Sequence, residues 1–338
     1  MQHEIVKSAA LLDKNGNIAE PGWARSLISR YSRADIKAHP LRIKEWDYYL
    51  ISNDRFALAL TIADNGYMGL ISASVLDFEK PWEQTTSVMT AFPMGKYKLP
   101  ETSAAGVTSY TDSRVNMRFG TANGVRHISC VFHKFLRDET LEAELTLTDE
   151  PQHSMVIATP FEKPKAFYYN QKINCMRSDG FMRLGGKTYD FSEEDSFATL
   201  DWGRGVWTYD NTWYWGNGNG TVNGHRVGFN IGYGFGDTSA ASENMIIYDG
   251  MAHKLSKVSF NIPADSYTKP WTFTSDDGRF EMDFVPVIDR AARTNALIIE
   301  SDQHQVFGRF TGKMVLDGGD VIELKDFMGF AEKVHNRY

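Results

Sequence analysis

The sequence predicts a mainly β protein, built of many antiparallel strands joined by short turns and closing into barrels or sandwiches rather than an α/β fold. Three observations lead there. Apolar and polar side chains alternate with a period of two along most of the chain, and turn residues recur between these runs. Aromatic residues make up 13% of the chain, with 8 Trp, 15 Tyr and 21 Phe, types that favour the pleated, half-buried strand.

Residues 1–40 carry turn chemistry at Lys14-Asn15-Gly16-Asn17 and Pro21-Gly22, which predicts a covering arm with one short helix around Trp23 to Tyr31. From Lys44 alternation takes over. Phe56, Leu58, Leu60 and Ile62 face one way and Ala57, Ala59 and Thr61 the other, after a hairpin turn at Ser52-Asn53-Asp54-Arg55. Val115, Met117 and Phe119 begin a second hairpin that turns at Thr121-Ala122-Asn123-Gly124 and returns over Val125 to Phe135. Leu141, Ala143, Leu145 and Leu147 alternate with Glu142, Glu144, Thr146 and Thr148, a strand with one wet face.

Pro151, Pro160 and Pro164 make 149–165 a connection or an edge, since proline cannot donate to a central ladder. Strand character resumes at Ala166 to Met176, with turns expected at Asp179-Gly180 and Gly185-Gly186. Further turns are expected at Asp249-Gly250, Asp276-Asp277-Gly278 and Asp317-Gly318-Gly319-Asp320.

A chain of 338 residues exceeds the usual single domain, so two are expected, 1–250 with the N-terminal arm and 251–338. The net charge is -7 and the basic residues are scattered, which argues against a nucleic-acid partner. No apolar run approaches a membrane span and the N-terminus lacks the pattern of a secretory signal, so the expectation is a cytoplasmic protein without an integral membrane segment. Cys130 and Cys175 read as buried thiols rather than a disulfide.

Several chemistries are present in letters only. Gly186-Lys187-Thr188 imitates the end of a phosphate loop, but Phe181 stands where its first glycine belongs. Gly232-Tyr233-Gly234-Phe235-Gly236-Asp237 resembles a dinucleotide fingerprint without a surrounding βαβ unit. His127 and His133 are too far apart along one strand to share a metal, and there is no Gly-x-Ser-x-Gly elbow. No cofactor and no metal site is expected.

The informative segment runs from Asp201 to Gly220. Trp202, Trp207, Trp213 and Trp215, four of the 8 tryptophans, fall here beside Tyr209, Asp201 and Arg204. The next strand alternates Val227, Phe229, Ile231, Tyr233 and Phe235 with Gly228, Asn230, Gly232, Gly234 and Gly236, leaving one face almost bare. Such a face admits packed aromatics or a ligand, which fits a barrel interior shaped by Trp and emptied by Gly. Trp202, Trp207, Tyr209, Trp213, Trp215, Asn230, Tyr233 and His304, whose imidazole titrates near neutral pH, are the expected ligand contacts. Asp201 or Glu243 is the expected proton donor, oriented by Arg204 or Asn244, because an acid among aromatic rings must be paired or shifted in pKa. A purely structural Asp201 to Arg204 ion pair competes with that reading. So do a carrier without catalysis and a scaffold of filled barrels.

Gly22-Trp23-Ala24-Arg25, Lys44-Glu45-Trp46-Asp47-Tyr48-Tyr49, Asp201-Trp202-Gly203-Arg204-Gly205-Val206-Trp207, Gly234-Phe235-Gly236-Asp237-Thr238, Glu243-Asn244-Met245, Asp277-Gly278-Arg279-Phe280-Glu281, Gln303-His304-Gln305-Val306-Phe307-Gly308 and Gly329-Phe330-Ala331-Glu332-Lys333 together resemble the bacterial family called domain of unknown function 2804, across nearly the whole chain. More distantly, Gly180 to Tyr189, Asp201 to Gly203 and Trp213 to Trp215 follow the order of blocks in the AttH and carotenoid hydratase group. That likeness implies two tandem lipocalin-like, calycin-type barrels. It also implies a cofactor-free pocket for an isoprenoid or other lipid-like molecule, serving hydration, lyase chemistry, cyclisation or plain binding. The acid directly precedes Trp202 here, whereas that group more often has two residues between.

Overall fold

The computed structural model describes residues 2–296 and 299–337. The strands are β1 (Gly22–Ala24), β2 (Ile43–Ser52), β3 (Phe56–Asp64), β4 (Met68–Asp77), β5 (Trp82–Ala91), β6 (Gly106–Thr111), β7 (Val115–Ala122), β8 (Val125–Leu136), β9 (Glu139–Thr148), β10 (Met155–Pro160), β11 (Phe167–Leu184), β12 (Lys187–Phe191) and β13 (Phe197–Val206), all in one 13-stranded sheet. A second, 9-stranded sheet holds β14 (Asp210–Val222), β15 (His225–Tyr233), β16 (Met245–Tyr248), β17 (Met251–Lys254), β18 (Val258–Asn261), β19 (Trp271–Ser275), β20 (Phe280–Ala296), β21 (Ile299–Val315) and β22 (Val321–Arg337). Every pairing between named strands is antiparallel. The hairpins predicted at 52–55 and 121–124 are present, as are the turns at 249–250, 276–278 and 317–320.

The two faces of β3 explain how the sheets sit together. Leu58, Leu60 and Ile62 join the core inside the first sheet. Ala57 and Ala59 are equally buried, because they form a flat, small-residue face on which Trp215, Phe307, Met328 and Phe330 of the second sheet rest. The second sheet has its own core of Phe229, Trp271, Phe280, Phe284 and Phe310.

Three local expectations are corrected. The segment around Trp23 is not a helix: β1 pairs with β10, Trp23 opposite Ile157, and the arm satisfies its remaining backbone through bonds such as Arg30 N–H to the Ala9 carbonyl. Asp179-Gly180 lies within the long strand β11, where Gly180 has φ +130° and its missing side chain lets the Glu144 carbonyl come close. The chain leaves the first sheet after Val206 and enters the second at Asp210, ahead of the boundary expected at Gly250, because the glycine strand β15 pairs with β14 and β16. Cys130 and Cys175 are buried and free.

Candidate active site between the sheets

Strand register builds the site as two facing rows. On the first sheet, Lys172 of β11 stands opposite Asp201 of β13, which stands opposite Tyr48 of β2. On the second, Gly232 of β15, Trp215 of β14, Glu332 of β22, Gln305 of β21 and Arg290 of β20 are successive cross-strand neighbours. Directly opposed residues share a face of the sheet, so each row presents its side chains to the other.

Within the first row, Lys172 Nζ lies 2.9 Å from Asp201 Oδ1, and Asn170 Nδ2 donates to the same oxygen at 2.6 Å. Lys172 also reaches across to the second sheet, its Nζ sitting 3.8 Å from the ring centroid of Trp215. In the second row, both oxygens of Glu332 accept a hydrogen bond, Oε1 from Trp213 Nε1 at 3.0 Å and Oε2 from Gln305 Nε2 at 2.9 Å. Trp215 Nε1 donates to Asn230 Oδ1 at 2.7 Å, and Asn230 Nδ2 donates to the Glu243 carbonyl at 2.7 Å. Glu243 enters over Gly232, where any side chain would meet its carboxyl group at about 3.2 Å. Arg290 Nη1 ties the two sheets together by donating to Ser74 Oγ at 2.9 Å.

Burial outweighs pairing for Glu332 and Glu243. It raises the Glu332 carboxyl to about 7, against the opposing pull of the Trp213 indole, Lys172 and Arg290. Burial also raises Glu243, helped by the charge of Asp201 and opposed by Lys172 and Lys254. The Tyr168 phenol goes well above its usual value, first through burial and then through Glu243, Asp201 and Glu332, so these three acids converge on one tyrosine.

The cluster is nearly closed: Asp201, Glu243 and Glu332 keep 7%, 8% and 8% of their surface accessible, much as Phe260 and Phe327 of the second core do. The Tyr48 hydroxyl and Gln305 Oε1 are buried with no partner in hydrogen-bond geometry, although Gln305 lies near enough to that hydroxyl to affect its acidity. Beside Trp213, the rings of Trp46, Trp207, Tyr168 and Phe235 form a wall, with Phe235 4.8 Å from Trp207, 4.8 Å from Tyr168 and 5.3 Å from Trp213. Trp46, Trp207 and Trp213 are half-buried, so the wall borders solvent. The inter-sheet seam lined by these groups, a candidate crevice, brings together an apolar face, an acid raised by burial to about 7 and a carboxylate paired with a lysine.

Residues 2–338 match the family described as Domain of unknown function (DUF2804). The chain belongs to that family. No curated protein matches it by sequence. This DUF2804 protein shares its fold with a protein assigned as an AttH from Nitrosomonas europaea, at 12% identity and a TM-score of 0.53, over 90% of this chain and 96% of that one. Kievitone hydratase from Nectria haematococca aligns at 10% identity and a TM-score of 0.48, over 98% of each chain. The fold is the tandem lipocalin-like arrangement of the AttH-type neighbour. Among the described residues no helix is long and apolar enough to cross a membrane, and no group of three or more His, Cys, Asp or Glu side chains is placed to hold a metal.

The structure gathers Asp201, Glu243, Trp213, Trp215 and Asn230 at this DUF2804 crevice, with Trp207 on its wall, and scatters the other expected residues. Arg204 lies on the opposite face of β13, inside the first sheet, where Nη1 donates to Asp47 Oδ1 at 3.0 Å and the guanidinium stacks 4.2 Å from the Trp202 ring. Trp202 is therefore core, packed edge-on against Tyr31 and Tyr169. Asn244 orients no acid: its Oδ1 accepts from the Gly232 N–H at 2.6 Å and its Nδ2 donates to the Ser256 carbonyl at 2.7 Å, bonds that fix the loop. Tyr209 is exposed, beside Arg337. Tyr233 stacks on Tyr214 at 4.5 Å in the second core, and His304 stacks on Tyr267 at 3.8 Å, bonded to Asp289, on the far side of its sheet from Gln305.

The bare glycine face also differs from expectation. It is turned away from the barrel interior, which Val227, Phe229 and Ile231 fill, and toward the first sheet. At Gly228 a side chain would meet Cys175 Sγ at 2.5 Å, so glycine there lets the sheets approach. Sequence reasoning missed Lys172, Glu332, Gln305, Tyr48 and Tyr168. The recurrence of Asn170, Lys172 and Asn174 on one face of a largely buried strand was the available signal for Lys172.

Proposed function

We propose that this protein is an acid/base catalyst, of the lyase or isomerase type, for a small apolar and unsaturated molecule bound in the crevice between the sheets. The observation that carries the proposal is Glu332: an acid held near neutrality by burial, gripped by Trp213 and Gln305, with the half-buried Trp213 of the aromatic wall bonded to it. Each of its oxygens accepts one bond and retains a lone pair for the acidic proton. In the reaction Glu332 gives that proton to one carbon of a double bond. The positive charge developing on the neighbouring carbon faces the half-buried Trp213 ring. Loss of another proton from the substrate back to Glu332 completes an isomerisation or cyclisation. Addition of water to the cation, with the water's proton returned to Glu332, completes a hydration. Both routes restore the acid, and the hydration consumes one water from solvent. The AttH-like fold supports the reading as a scaffold, without specifying a reaction.

The test is incubation of the protein with an apolar cell extract in deuterated water, followed by mass spectrometry of the extract. Deuterium gained at carbon in one component by the wild type, and not by the Glu332→Gln variant, supports proton transfer. A component that both proteins bind, with no deuterium gained at carbon, makes the protein a carrier and ends the catalytic reading.

A further inference from the structure

We propose that the mouth of the second sheet, on the opposite side of β14, β21 and β22 from the acid crevice, is a binding site for a polyhydroxylated ring of monosaccharide size. A pocket of about 290 Å³ opens there, close to the lower end of the range for small-molecule sites. Register makes it a grid. Tyr214 stands opposite Lys333, which stands opposite His304; one row outward, Thr212 stands opposite His335 and then Asp302. One row inward, the strands continue with Gly216, Ala331 and Val306, which are small or apolar.

The walls and the polar groups together indicate the ligand class. Tyr214 and Tyr267 are half-buried aromatic sides, each backed by a second ring, Tyr233 at 4.5 Å and His304 at 3.8 Å, which holds it in place. Donors and acceptors then alternate around the opening. Lys333 makes no ion pair among the described residues and has the Tyr214 ring 5.9 Å from its Nζ. Asp302 keeps 42% of its side chain accessible, held only from 3.7 Å by His304 Nε2, and Glu300 lies beyond it. Charges of both signs around one opening disfavour an anion or a cation as ligand. Vicinal hydroxyl groups, which donate and accept at once, satisfy both, while the C–H face of a sugar ring packs on tyrosine.

The test uses saturation-transfer NMR on the full chain with two probes at millimolar concentration, a methyl glucopyranoside for a single ring and a linear glucose trisaccharide for a chain end. Saturable transfer from either probe, weakened at least about tenfold in Asp302→Asn and Lys333→Gln and unchanged in Glu332→Gln, supports the site. Preference for the trisaccharide assigns it to chain ends, and equal binding assigns it to free rings. No transfer from either sugar, transfer that survives both substitutions, or binding of inorganic phosphate in their place overturns it. Circular dichroism melting of each variant separates lost binding from lost folding, and the unchanged Glu332 variant separates this site from the acid crevice.

Discussion

Asp201 and Arg204, three residues apart on one strand, lie on opposite faces of the first sheet, and the partner of Asp201 is Lys172 at 2.9 Å. An odd separation on a strand forces this outcome, since side chains alternate between faces. The result gives each charge a separate role. Asp201 and Lys172 belong to the space between the sheets, and Arg204 belongs to the core of the first.

Removing one member of the Lys172–Asp201 pair strands the other in a nearly closed site, which costs roughly 3–5 kcal/mol. Lys172→Met and Asp201→Asn are each expected to lose stability on that scale in urea unfolding. The double variant is expected to lose markedly less than the sum, because no unpaired charge remains. Strict additivity would show that the two groups do not interact.

Arg204→Met is expected to lower stability on the same scale, about 3–5 kcal/mol, by leaving Asp47 without its cation inside the first sheet. Because Arg204 faces away from the crevice, the variant should leave the titration of Glu332 where the wild type has it. A shifted Glu332 titration in Arg204→Met would contradict the separation of the two faces.

Glu332 makes stability depend on pH in a definite direction. Its pKa is raised on folding, from 4.5 to about 7, so the contribution is fully present below 4.5 and is lost as pH rises through about 7. The corresponding free energy is roughly 3 kcal/mol. Wild-type protein should therefore weaken between pH 4.5 and 7 relative to Glu332→Gln, whose melting temperature should show a flatter profile over that window. Parallel profiles would remove Glu332 from the account. Proton transfer to a substrate should likewise fall as pH rises through about 7, when the acid loses its proton.

Gly228 sets the spacing of the sheets at one point. Gly228→Ala places a methyl group 2.5 Å from Cys175 Sγ and 3.0 Å from Asn219 Oδ1, and is expected to cost about 1–3 kcal/mol by overpacking. Adding Cys175→Ala removes the sulfur that the methyl meets, so the double variant should recover part of the loss. Equal losses in denaturant melts with and without Cys175→Ala would place the strain elsewhere.

Much of the fold is legible in the sequence because strand alternation and turn chemistry are local signals. Phe56 to Ile62 and Leu141 to Thr148 show their faces by period alone, and Asn123-Gly124 and Asp249-Gly250 mark turns by their tolerance of positive φ. Gly180 misleads for the same reason: glycine serves a close strand approach as well as a turn. The site is less legible because it depends on register between distant strands. Trp213, Trp215, Asp201 and Glu243 stand out by composition, but Glu332 and Lys172 join them only through the pairings of β22 with β14 and of β11 with β13. No local pattern in Gly329-Phe330-Ala331-Glu332-Lys333 tells which of its two charges meets the crevice and which meets the pocket on the other side. Alternation separates them once the register is fixed.

Glu332, a buried acid raised to about 7, can be titrated directly. Carbon-13 NMR of protein labelled at glutamate side-chain carboxyls, with the Glu332 signal assigned by its loss in Glu332→Gln, reports the titration of that one group. A midpoint near 7 is the expected result. A midpoint near 4.5, that of an ordinary solvated glutamate, would contradict the account and leave the crevice without its proton donor.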